Sequence, residues 1–145
     1  MDTEEIEDFQ PKKEKTAIYS KWAILGFSVF FSPFIGSILL MLNLRRIGNK
    51  TAGYLILVFG IVYIIAAEIV LIKLLGLDIT HVTPQKLVAN QQVLYYSKAL
   101  DILGGAILAE YFFKKYFKGD SYTSRSVFPP LLIIMAIFFL LSSVI

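Results

Sequence analysis

Three long runs of the chain carry no formal charge, residues 22–44, 51–67 and 126–145, and a basic interruption, Arg45-Arg46-Ile47-Gly48-Asn49-Lys50, separates the first two. About 20 apolar residues, rising roughly 1.5 Å each as helix, match a hydrocarbon layer of about 30 Å. The pattern predicts an all-α, polytopic membrane protein with four transmembrane helices, arranged as two hairpins with short loops. The crossings are expected at about 22–42, 52–75, 93–113 and 127–145. Residues 1–21 are a polar, acid-rich tail broken by Pro11, expected to be disordered, with an interfacial helix starting near Thr16 and leading to Trp22 at the headgroup boundary. Residues 22–145 then form one membrane domain behind that tail.

The polar and small residues inside these runs sharpen the picture. Pro33 removes a backbone donor and is expected to bend a single first helix in mid-bilayer, with Ser32, Gly36 and Ser37 allowing a close neighbour. Gly48-Asn49 marks the reversal into the second helix. There Gly53, Gly60 and Ala67 recur every seven residues as a small-residue seam, and Tyr54, Ile61 and Glu68 follow one position on. Residues 77–92 form the longest link, in which Leu87-Val88-Ala89 suits an amphipathic turn and Thr83-Pro84 reads as a helix start. The third crossing is the most polar, with Lys98, Asp101 and Glu110 beside Gly104 and Gly105, so a re-entrant or interfacial segment is its alternative. Pro129-Pro130 fits the first turn of the fourth. The chain also matches itself at an offset of 69 residues: Gly36-Ser37-Ile38-Leu39 with Gly105-Ala106-Ile107-Leu108, and Arg45-Arg46 with Lys114-Lys115. Either duplication or shared helical architecture accounts for that match.

Composition agrees with lipid as the solvent: 57% of residues are apolar, and the mean hydropathy is +0.68. The net charge of +3 is mild, and its excess sits in loops flanking the helices. That placement suits anionic lipid headgroups and not nucleic acid. No cysteine is present, so disulfides and thiolate metal sites are excluded. The acid-rich start does not read as a cleavable signal peptide. Basic density beside the crossings favours the turns at Arg45, Arg46 and at Lys114, Lys115, Lys118 being cytoplasmic, with both termini on the opposite face.

Candidate chemistry concentrates in one intramembrane polar network. Antiparallel helices would bring Glu68 and Asp101 to matched depth, with Lys73 and Lys98 nearer the same face. Lys98 and Asp101 are three residues apart, within reach on one helix turn. Glu68 and Lys73 are five apart and are not. The network reads either as packing that orients two helices or as a hydrated vestibule in which a carboxylate takes a proton or a cation. Arg45, Arg46, Lys114, Lys115 and Lys118 are candidate lipid headgroup contacts, besides setting topology. Asn43 is placed to bond across helices or to cap the first one. His81 stands alone, and no metal, cofactor or nucleophile motif appears.

Phe31-Ser32-Pro33-Phe34-Ile35-Gly36 followed by Asn43-Leu44-Arg45-Arg46-Ile47-Gly48 resembles uncharacterised small bacterial inner-membrane proteins, in which a Ser-Pro, a nearby glycine and an Asn-x-Arg-Arg-x-Gly turn recur. The likeness covers about 20 residues, with an echo at Gly104 to Lys115. It implies four helices and the bacterial cytoplasmic membrane, and carries no activity and no catalytic residue. The expected function is therefore a noncatalytic membrane protein without a cofactor, binding lipids, a membrane protein partner or a second copy of itself, or serving as an assembly subunit. The alternative is a small transporter or channel with Glu68, Asp101 and Lys98 along a polar path.

Overall fold

A computed structural model describes residues 15–76, 91–118 and 122–144 of the chain. It is an all-α bundle. The elements are β1 (Ala17–Ile18), α1 (Lys21–Phe30), α2 (Pro33–Arg46), α3 (Lys50–Leu75), α4 (Gln91–Ala106), a π-helical stretch Ile107–Phe112, α5 (Phe113–Tyr116), β2 (Thr123–Ser124) and α6 (Phe128–Val144). The expectations for the tail before residue 15, the Leu87-Val88-Ala89 turn, the Thr83-Pro84 helix start and His81 lie outside the described residues.

The region 22–42 differs from the single bent helix expected there. Ser20 caps α1, its hydroxyl accepting from the Ala23 amide at 3.1 Å. The helix stops at Phe31, where the Phe31 and Ser32 amides both donate to the Phe27 carbonyl. Ser32 is extended, and Pro33 opens α2, a place where its missing donor costs nothing. The chain then folds back on itself. The Asn43 side chain accepts from the Tyr19 amide and donates to the Tyr19 carbonyl, both at 2.8 Å. An unbroken helix would hold residues 19 and 43 roughly 36 Å apart. Residues 22–42 are thus an antiparallel hairpin whose tip is Phe31-Ser32-Pro33. At about 1.5 Å per residue its arms are roughly 15 and 21 Å long.

This reversal also overturns the expected placement of the N-terminal segment opposite the basic turns. Lys21 Nζ donates to Glu110 Oε1 at 2.9 Å, and Arg46 Nη1 donates to the Ala17 carbonyl at 3.4 Å. β1 pairs in parallel with β2, Ala17 facing Thr123 and Ile18 facing Ser124. The start of the described chain, the turn after α2, α5 and the start of α6 therefore share one end of the bundle.

The hairpin packs between α3 and α4, and α2 lies along α3. Buried Ile24, Leu39, Leu40, Leu44, Ile56 and Leu108 make the core. Small residues set the spacing: a Cβ on Gly36 would collide with the Ser28 hydroxyl, and one on Gly105 would lie 2.8 Å from Ser28 Cβ. The two glycines aligned by the 69-residue offset thus flank the same serine of α1.

α3 begins at Asn49, whose Oδ1 accepts from the Ala52 amide at 3.1 Å, and ends at Gly76, which takes the left-handed conformation (φ 58°) of a helix stop. Its 26 residues make it the one described helix long and apolar enough to cross a membrane. The expected span 52–75 lies within it. The expected 93–113 lies within the run from α4 through α5, and α6 occupies the expected 127–145 except its ends. α6 packs through Leu131 and Ile134, with Val127 just before it, and otherwise leaves Leu132, Ile133, Phe138, Phe139 and Leu141 exposed.

Candidate functional site

The break at Ser32-Pro33 creates the site. A cavity of about 340 Å³ lies between the hairpin tip, α3 and α4. Leu94, Ser97, Lys98 and Asp101 reach it from α4 at helical spacing, and Ile64, Glu68 and Leu71 do so from α3. Phe31, Pro33 and Tyr63 complete its wall.

Lys98 and Asp101 form the pair expected from their spacing, Nζ to Oδ2 at 3.0 Å. The same ammonium donates to the Val29 carbonyl at 3.1 Å. Because α1 ends one residue later, the Val29 carbonyl lies at the negative end of the helix dipole, beyond the reach of the amides that close on Phe27. Lys98 therefore caps α1 from another helix, and Asp101 holds the ammonium in place. The Asp101 side chain keeps 17% of its surface exposed and that of Lys98 43%. Tyr63 adds a second tie, its hydroxyl donating to the Leu100 carbonyl at 2.7 Å.

Glu68 lines the same cavity, on its exposed side, and among the described residues it makes no ion pair or hydrogen bond. Lys73 is exposed, lies outside the cavity lining and does not pair with Glu68. Of the four residues expected to form a network, two are joined, a third shares their cavity and the fourth stands apart. Beside the cavity the helices close tightly. A Cβ on Gly104 would lie 2.6 Å from both Pro33 Cγ and Tyr63 Cε1, and one on Gly60 would strike the Ser37 side chain.

The basic candidates gather at the other end of the bundle. Lys114 joins Lys21 on Glu110. Lys115 sits 5.8 Å from the Tyr111 ring and 5.6 Å from that of Tyr116. Arg45, Arg46 and Lys118 are exposed there, and Arg125 lies 5.2 Å over Tyr19. Among the described residues no three His, Cys, Asp or Glu side chains gather as a metal site.

Sequence reasoning missed Tyr63 as a polar wall of the cavity and Ser32-Pro33 as its roof. The signal for the second was present, since a serine before a proline is also a helix-start signature.

The fold and site together define a helical bundle with one membrane-length helix and a polar cavity under a helix break. Comparison with protein-family models, curated proteins and solved structures finds no match.

Proposed function

We propose that the chain is a noncatalytic integral membrane protein of the bacterial cytoplasmic membrane that binds lipid through its basic end and assembles with a helical partner through α6. In this reading α3, α4–α5 and α6 cross the bilayer, and α1–α2 enters from the basic face and returns to it. The observation that carries the reading is the uncovered apolar surface. Leu55, Val58, Val62 and Ile65 of α3, with Phe138 and Phe139 of α6, face outward, where a water-soluble protein rarely exposes so much contiguous apolar area. An apolar groove of about 670 Å³ separates α6 from Phe30, Phe31 and Ile35 at the hairpin tip, a shape suited to a further helix. Lys15 and Lys21 join Arg45, Arg46, Lys114, Lys115 and Lys118 on one side, which favours that side as cytoplasmic.

The cysteine-free chain permits a direct test with single cysteines in cells. Lys15→Cys and Lys118→Cys should react with an impermeant maleimide from one side, and Lys73→Cys from the other. A maleimide-benzophenone on Phe139→Cys should cross-link to a membrane protein or to a second copy. Lys15 and Lys73 on one side would remove the hairpin topology. Adducts with lipid alone would remove the assembly role.

The cavity favours a second reading, a small transporter with Glu68, Asp101 and Lys98 along its path. Against it stand the close-packed Pro33, Gly104 and Tyr63 at the cavity wall and the engagement of Lys98 with two acceptors. Proteoliposome flux that vanishes in Glu68→Gln or Asp101→Asn, with normal incorporation, would select this reading.

A further inference from the structure

We propose that the cavity beneath the hairpin tip is a receptor for a small organic cation, a protonated amine on a compact apolar body, with Glu68 as its anionic anchor. The argument begins with charge. Lys98 already donates to Asp101 and to the Val29 carbonyl, so the Lys98–Asp101 pair is a neutral wall. The charge left without a partner among the described cavity residues is the Glu68 carboxylate. An anionic ligand would meet Glu68 and find Lys98 committed elsewhere. A cationic one completes the balance.

The walls then select the body of the ligand. Phe31, Ile64, Leu71 and Leu94 present apolar surface, and Tyr63 spends its hydroxyl proton on Leu100, leaving its ring as wall. A bare inorganic ion fills little of about 340 Å³, whereas that volume suits a small organic molecule held by apolar contact and a few polar groups. Aromatic faces beside the cavity add attraction for an alkylammonium group.

Glu68 lies on the exposed rim, and where Gly104 packs against Pro33 and Tyr63 the helices leave no room even for a methyl group. Because binding by the isolated protein needs no partner and no sidedness, this inference and the assembly reading can fail separately.

The test is equilibrium binding of benzylammonium to the full chain in nanodiscs of zwitterionic lipid, with empty nanodiscs subtracted. Benzyl alcohol and benzoate serve as neutral and anionic counterparts of the same shape. Wild type should bind benzylammonium saturably and about tenfold or more tightly than either counterpart, the scale of one charge-assisted contact. Glu68→Gln should reduce that affinity to the level of the alcohol, Glu68→Asp should keep the preference for the cation, and Lys73→Gln should leave it unchanged. In wild type, benzyltrimethylammonium, which has no N–H and cannot couple to an activated carboxyl, should also protect Glu68 from dicyclohexylcarbodiimide, mapped by mass spectrometry, a readout that needs no variant to fold. Absence of saturable binding, equal affinity for the alcohol, an unaltered Glu68→Gln or unprotected Glu68 would each overturn the proposal.

Discussion

Asn43→Ala should lower the unfolding free energy by about 2–6 kcal/mol, measured by unfolding in mixed detergent micelles. Asn43 is fully buried and satisfies both backbone groups of Tyr19, accepting from its amide and donating to its carbonyl at 2.8 Å. Alanine leaves an orphaned donor and an orphaned acceptor in the core, each costing roughly 1–3 kcal/mol. Leu44 and Ile18, both buried close by in the chain, leave little room for water to replace the amide. Asn43→Asp should be no better tolerated, because its carboxylate can accept from the Tyr19 amide but cannot donate to the carbonyl. A variant within about 0.5 kcal/mol of wild type would show that this bond does not hold the hairpin closed.

The second large effect is expected at Gly104. A methyl group there would sit 2.6 Å from Pro33 Cγ and Tyr63 Cε1 and 2.8 Å from Pro33 Cβ. Proline is rigid and opens α2, while Tyr63 is tied to Leu100. Neither can yield without moving a helix. Gly104→Ala should cost about 1–3 kcal/mol and Gly104→Val more, the usual scale of forced overpacking. Gly26 provides the internal control, since nothing lies within 4 Å of its Cβ position. Gly26→Ala should be neutral or stabilising by up to about 1 kcal/mol through helix propensity. Parallel unfolding curves in one detergent check both, and equal tolerance at the two glycines would refute this packing.

What the sequence revealed depended on whether the signal was local. α3 begins and ends within two residues of its expected bounds because Asn49 and Gly76 punctuate it. Lys98 and Asp101 were readable as a pair since one helix turn joins them, and Glu68 and Lys73 were readable as unjoined for the same reason. The hairpin was hidden because an uncharged run long enough for one membrane-length helix is also long enough for two short helices packed against each other. Ser32-Pro33 serves a kink and a helix start equally well, and the deciding contacts, Asn43 with Tyr19 and Lys98 with Val29, join residues far apart in the chain. The π-helical stretch at Ile107–Phe112 had no visible signature at all, being a choice of hydrogen-bond register made by tertiary packing.

The Lys98–Val29 bond spans 69 positions of chain, and that interval bears on biosynthesis. When α1 and α2 leave the ribosome, the carbonyl end of α1 has no ammonium to face. Its stopper is made much later, after α3, the connecting segment and the start of α4 have been translated. Asn43 can close the base of the hairpin as soon as α2 is made, whereas the contact at its tip waits for α4, so the last part of the pocket to be synthesised completes the first.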